Sequence, residues 1–156
     1  MKINGIMGSM EEGKRKTIGY TAGVYDMFHI GHLNILESAK QHCDYLIVGV
    51  NSDAASFGYK NKYPIIPENE RMEIVQAVRY VDEVVRVDNT DKKFAFEKYR
   101  YDIIFVGDDH KGEPRWQELD EYLEARGARV FYIPYTKHIS SSKLTEVIDR
   151  MLIAAD

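Results

Sequence analysis

The chain has 156 residues, 44% of them hydrophobic and 29% charged, with a formal net charge of −4. Such a chain fits one domain whose core needs neither disulfides nor a structural metal, and no apolar run approaches the roughly 20 residues that span a bilayer. The single cysteine, Cys43, excludes a disulfide framework and any Cys-x-x-Cys metal pair and suits a reducing, cytoplasmic setting, and the absence of a long basic block argues against a nucleic-acid surface.

Residues 1–16, MKINGIMGSMEEGKRK, lack the apolar core of a signal peptide and read as a flexible extension. Gly8 to Lys14 spell G-x-x-x-x-G-K, but Arg15 stands where a P-loop needs Ser or Thr, and no strand precedes Gly8. Residues 17–156 then alternate short apolar runs with helical patterns. The first strand is expected over 17–23 and the first helix over 32–43, with Leu33, Leu36 and Ala39 on one face. The continuous apolar run 45–50 predicts a strand buried on both sides. A polar segment carrying Lys60 and Lys62 leads through Pro64 and Pro67 to a helix from Glu68, followed by a strand over 83–87, a helix over about 91–100 and a strand over 102–107. Trp116, Leu119 and Leu123 mark another helix, closed by Gly127; a strand over 128–134 follows. Leu144, Val147, Ile148, Met151 and Leu152 give the last helix an apolar stripe. Five strands alternating with five helices predict an α/β fold, a Rossmann-like doubly wound parallel sheet, which binds ligands beyond the carboxyl ends of its strands.

The polar features of the chain fall in those loops. Strand one is followed by GVYDMFHIGH (23–32), strand two by the lysine pair, strand four by GDDHKG (107–112) and strand five by YTKHISSS (135–142). Gly31 would allow close backbone approach to a ligand, and a helix starting beside it offers free amides to a phosphate. His29 and His32 can donate hydrogen bonds to oxygens of a phosphorus centre, where fixed donors favour the transition state. A zinc site would need a third ligand, and His110 and His138 lack a recognisable spacing for it.

Gly23-Val24-Tyr25-Asp26-Met27-Phe28-His29-Ile30-Gly31-His32 resembles the signature of the HxGH nucleotidyltransferases. The segments RYVDEVV (79–85), VGDD (106–109) and ISSS (139–142) resemble, in the same order, motifs of the cytidylyltransferases, nearest the glycerol-3-phosphate type. The resemblance covers about residues 17 to 149. It implies attack by a substrate phosphate on the α-phosphorus of CTP, with magnesium assisting and pyrophosphate leaving. It also implies no covalent intermediate, and a homodimer serving phospholipid or cell-envelope synthesis. In that scheme His29, His32, Lys60 and Lys62 are catalytic, with no metal ligand assigned to a protein side chain. Gly23, Val24, Tyr25, Asp26, Gly31, Arg79, Gly107, Asp108, Asp109, Ile139, Ser140, Ser141 and Ser142 bind nucleotide. An arginine ending a helix can instead satisfy carbonyls, and the serines would cap the final helix in any case.

The chain departs from the pattern at several positions. Tyr135 stands at the family arginine, Lys137 at its acidic residue, His138 at its glycine, and Val24 at the threonine of the glycerol-3-phosphate type. Tyr135, Thr136 and Lys137 are therefore expected near the acceptor or a phosphate, with Lys137 taking the arginine's role. The acceptor is expected to be a small phosphorylated alcohol, glycerol 3-phosphate first. An adenylyltransferase of the flavin or pantetheine type and a non-catalytic nucleotide-binding module are the rival readings.

Overall fold

The computed structural model describes residues 13–155. Of the N-terminal extension, residues 1–12, including most of the G-x-x-x-x-G-K stretch, lie outside the described residues; Gly13 to Lys16 are exposed, and the Arg15 guanidinium pairs with the Asp102 carboxylate.

Five strands, β1 (Ile18–Gly23), β2 (Tyr45–Asn51), β3 (Glu83–Val87), β4 (Ile103–Gly107) and β5 (Arg129–Ile133), pair in the order β3-β2-β1-β4-β5, every neighbour parallel. The helices are α1 (Ile30–Gln41), α2 (Asp53–Lys60), α3 (Glu68–Gln76), α4 (Lys92–Tyr99), α5 (Pro114–Glu124) and α6 (Ser141–Ala155), with a single 3-10 turn at Asp108–His110. Because β1 continues to β2 on one side while β4 lies on its other side, a switch-point crevice opens at the carboxyl ends of β1 and β4.

Alternate strand residues build two cores. Tyr20, Ile47 and Ile104 face one way and meet α4 and α5 through Phe96, Trp116, Leu119 and Leu123. Leu46, Val48, Val50 and Phe105 face the other way and meet α1 and α3 through Leu36, Ala39 and Val75. The strands and the helix periods of α1 and α5 match the sequence pattern. Beyond the five expected helices the structure adds α2: its N-cap is Ser52, whose side chain accepts from the Ala55 amide, and only Ser56 is buried, so it has no apolar face to announce it.

The stripe on α6 is not core. Val147, Ile148, Met151 and Leu152 are exposed. Gly127 does stop the chain after α5 with a φ of 79°. Cys43 is partly buried, its thiol donates to the Ala39 carbonyl, and burial pushes it up to about 11, which leaves it an unreactive thiol at neutral pH.

Candidate active site

The loop after β1 is held in an unusual backbone. Tyr25 and Met27 adopt φ of 55° and 48° without being glycine, a conformation that carries a steric cost for a side chain. Tyr25 offsets it by burying its ring against Phe28 and His32. Asp26 locks the loop from the other side: its carboxylate accepts the Ile65 and Ile66 amides at 2.8 and 2.9 Å, and its carbonyl accepts the Ser141 hydroxyl at 2.6 Å. Asp26, expected among the nucleotide-binding residues, instead has both carboxylate oxygens engaged as a buried loop clamp.

The loop delivers His29 to the N-cap of α1. Its Nδ1 accepts the Gly31 amide at 3.0 Å, and Nδ1 of His32, a turn later, accepts the His29 amide at 3.3 Å. The two rings stack with centroids 3.8 Å apart. An Nδ1 that accepts leaves the proton on Nε2, so both imidazoles present Nε2–H donors. Both are kept neutral. Burial, then the neighbouring His29 and Lys60, lower His32 to about 3, and burial followed by His138 lowers His29. Gly31 serves this arrangement sterically, since a Cβ there would lie 2.8 Å from Cε1 of His29.

A cavity of about 580 Å³ opens beside the pair, within the usual size of a small-ligand site. Gly23, Val24, Tyr25, His32, Lys60, Gly107, Asp109, Tyr135 and Ser141 all line it, so loops after β1, β2, β4 and β5 converge as expected. Among the described residues, the buried side-chain polar atoms without a partner are His29 Nε2, Asn51 Oδ1 and Trp116 Nε1. Asn51 and Trp116 line the cavity, and His29 stacks on a residue that does. Buried polar groups left unpaired are rare in folded proteins and mark places where a ligand completes the bonding.

Lys62, Asp108, Thr136, Lys137, Ile139, Ser140 and Ser142 are not among the residues that line the cavity. Lys62 pairs with Asp149 of α6 at 2.9 Å. Ser140 accepts the Lys143 amide as a helix cap, and Ser142 is exposed. Asp108 accepts the Tyr135 amide at 2.9 Å, which orders the β5 loop, and Thr136 accepts from Asn34 at 3.1 Å. Ile139, beside the serines, is half-buried. Lys137 is exposed, with its carbonyl accepting from Lys143, whereas Tyr135 lines the cavity.

Arg79 requires a second correction. The RYVDEVV segment lies at the amino-terminal edge of the sheet, where Asp82 accepts the Leu46 amide at the start of β2 and the Lys40 ammonium. Arg79 is exposed there on the Tyr80 ring, at the end of the strands opposite the cavity. Helix α3 runs back along the sheet and sets its C-terminal residues at that edge.

Sequence reasoning missed Arg71, a fully buried arginine of α3. It donates to the carbonyls of Ile66, Val24 and Asn51 and pairs with Asp53 at 2.8 Å, joining the site loops after β1 and β2. Lys92, Arg115 and Trp116 on the cavity wall were missed too. The pair KK at 92–93 opening a helix after a strand was the available signal.

A parallel sheet with a neutral histidine pair and a lysine at its switch-point crevice is that of a nucleotidyltransferase. A family model described as cytidylyltransferase-like matches residues 20–147, and the chain belongs to that family. An FAD synthase of Thermococcus kodakarensis is 33% identical over 92% of this chain and 97% of its own length, and a glycerol-3-phosphate cytidylyltransferase of Bacillus subtilis is 34% identical over 86% and 97%. An ethanolamine-phosphate cytidylyltransferase of Arabidopsis thaliana is 37% identical over 90% of this chain, which spans 34% of that longer protein. The crystal structure of a lipopolysaccharide core biosynthesis protein from Thermoplasma volcanium superposes with a TM-score of 0.66 at 26% identity, covering 80% of this chain and 100% of the other. No helix among the described residues is long and apolar enough to cross a membrane.

Proposed function

We propose that the chain transfers a cytidylyl group from CTP to the phosphate of a small phosphorylated alcohol, releasing pyrophosphate. A phosphate oxygen of the acceptor forms a bond to the α-phosphorus as the bond to the bridging oxygen of the leaving pyrophosphate breaks. No proton has to move, so positioning and charge stabilisation carry the rate. His29 and His32 donate from Nε2–H to the oxygens on which charge builds, and Lys60 neutralises the approaching phosphate. The observation that carries this reading is the His29–His32 pair, with its Nδ1 atoms tied to backbone amides and the buried Nε2 of His29 unpartnered.

A magnesium ion carried on the triphosphate would supply further neutralisation. Asp109, the β4-loop acid that lines the cavity, is the side chain that would meet it. The exposed stripe on α6 suits a homodimer, and the single cysteine suits the cytoplasm.

The FAD synthase relative supports a second reading, adenylyl transfer to a flavin phosphate. With Arg79 outside the cavity, Lys60 and the two cytidylyltransferase relatives are what favour the cytidylyl branch. Pyrophosphate release measured with CTP and with ATP, against glycerol 3-phosphate, ethanolamine phosphate and FMN, separates the two. Release with ATP and FMN alone would overturn the cytidylyl reading. Turnover lost in His32→Ala with the fold retained would exclude a non-catalytic module.

A further inference from the structure

The side of the cavity formed by α4 and α5 lies on the opposite sheet face from α1 and carries a cationic wall of Lys92, Lys93 and Arg115 beside Trp116. Lys93 is matched by Glu118 at 3.0 Å, and Arg115 by Glu113 at 2.8 Å. Among the described residues Lys92 has no such partner. Its acidic neighbour, Asp91, already caps α4 by accepting the Lys93 amide at 2.9 Å.

Three features make a cation at Lys92 costly in the free protein. The side chain is partly buried, it faces Arg115, and it occupies the first position of a helix, where the dipole is positive. Burial and then Arg115 bring its ammonium down to about 8. All three costs fall when an anion enters. Trp116 and Asn51, each 8% exposed, add an unpartnered indole N–H and an unpartnered amide oxygen to the same cavity, so the chamber already holds polar groups that a ligand would complete.

We infer that the second substrate carries, besides its attacking phosphate, a carboxylate received by Lys92, Arg115 and the Trp116 indole N–H, so that it is a phosphorylated hydroxy acid. Because Lys93 and Arg115 each face a glutamate, the uncompensated charge is about that of one lysine. That suits a monoanionic carboxylate better than a second, dianionic phosphate. The Asn51 oxygen is left to accept from a hydroxyl of the same molecule. The inference rests on the cytidylyl-transfer reading for the attacking phosphate, but not for the binding of the acid.

Two compounds differing at one end test it. 3-Phosphoglycerate and glycerol 3-phosphate share a backbone and a phosphate and differ by a carboxylate in place of a hydroxymethyl group. Calorimetric titration of the full chain is expected to give at least tenfold tighter binding of 3-phosphoglycerate. The preference should collapse in Lys92→Gln, survive in large part in Lys92→Arg, and fall about threefold in Trp116→Phe. Equal or weaker binding of 3-phosphoglycerate, or a preference untouched in Lys92→Gln, overturns the inference. Pyrophosphate release with CTP is measured in parallel. A binding preference without release from either compound would overturn the transfer reading alone, and release with glycerol 3-phosphate without a preference would overturn the acid site alone.

Discussion

Gly31→Ala separates the histidine pair from the fold. The added methyl would lie 2.8 Å from Cε1 and 3.0 Å from Nδ1 of His29, where carbon contacts normally sit at about 3.5–4.0 Å. Gly31 is buried in the first turn of a helix anchored by Leu36 and Ala39, so the rotatable side of the contact, the half-buried His29 ring, is what gives way. Its displacement forfeits the bond from the Gly31 amide and the stack on His32. The backbone gains nothing from glycine here, because Gly31 is not among the positive-φ residues, and alanine is the better helix former by up to about 1 kcal/mol. Loss of one preorganised donor costs about 10²–10³ in kcat, or about 2.7–4 kcal/mol. The expected result is a kcat at least about a hundredfold lower in a pyrophosphate-release assay, with nucleotide KM within about threefold and Tm within a few degrees of the parent. A kcat within about threefold of the parent would refute a catalytic His29; a collapsed melt would refute the claim that the glycine serves the ring and not the helix.

Further outcomes follow from the same geometry. Since His32 is held near 3 in the folded chain but returns to about 6.5 on unfolding, the unfolded state takes the extra proton. Stability should therefore fall as pH drops from about 6.5 towards 3, by at most about 1.4 kcal/mol per pH unit for this group, and His32→Asn should flatten the slope of urea midpoint against pH. Asp26→Ala strands the Ile65 and Ile66 amides and should cost about 2–4 kcal/mol of stability by denaturant titration, with Asp26→Asn milder because one acceptor remains. Arg71→Ala leaves Asp53 and three carbonyls unserved and should cost about 3–5 kcal/mol in the same experiment. Lys137→Ala should keep nucleotide KM within about twofold while Tyr135→Ala raises it, as measured by initial rates; the reverse order would restore the lysine to the arginine's role.

The strands were readable because each is a short apolar run bounded by polar residues, and the convergence of loops followed from parallel topology alone. The placing of both histidine rings at one helix start was readable from their spacing after a strand, while their reading as an anion site drew on three further loops at strand ends. Helix α2 was not readable: only Ser56 is buried and Phe57 and Tyr59 are exposed, so no apolar residue of 53–60 is anchored in the core. Arg71 looks like a surface charge and Asp26 like a ligand-binding acid in one dimension, and only the return of α3 and the 64–66 loop to β1 shows both as buried ties. The resemblance placed Arg79 at the nucleotide because motif order carries no information about which end of a strand a segment occupies. Lys92 escaped because its meaning depends on Arg115, more than twenty residues later in the chain.

The cavity straddles the sheet, and that division separates two tasks. The histidine start of α1 is seated on one core and the wall of α4 and α5 on the other. Substitutions in packed groups that share no contacts are nearly additive, so on the proposed reading a wall that receives the acceptor could be rebuilt without disturbing the histidine pair. Under that proposal, a lineage would exchange one alcohol, acid or flavin partner for another through a few residues of two helices and keep the histidine start of α1 unchanged.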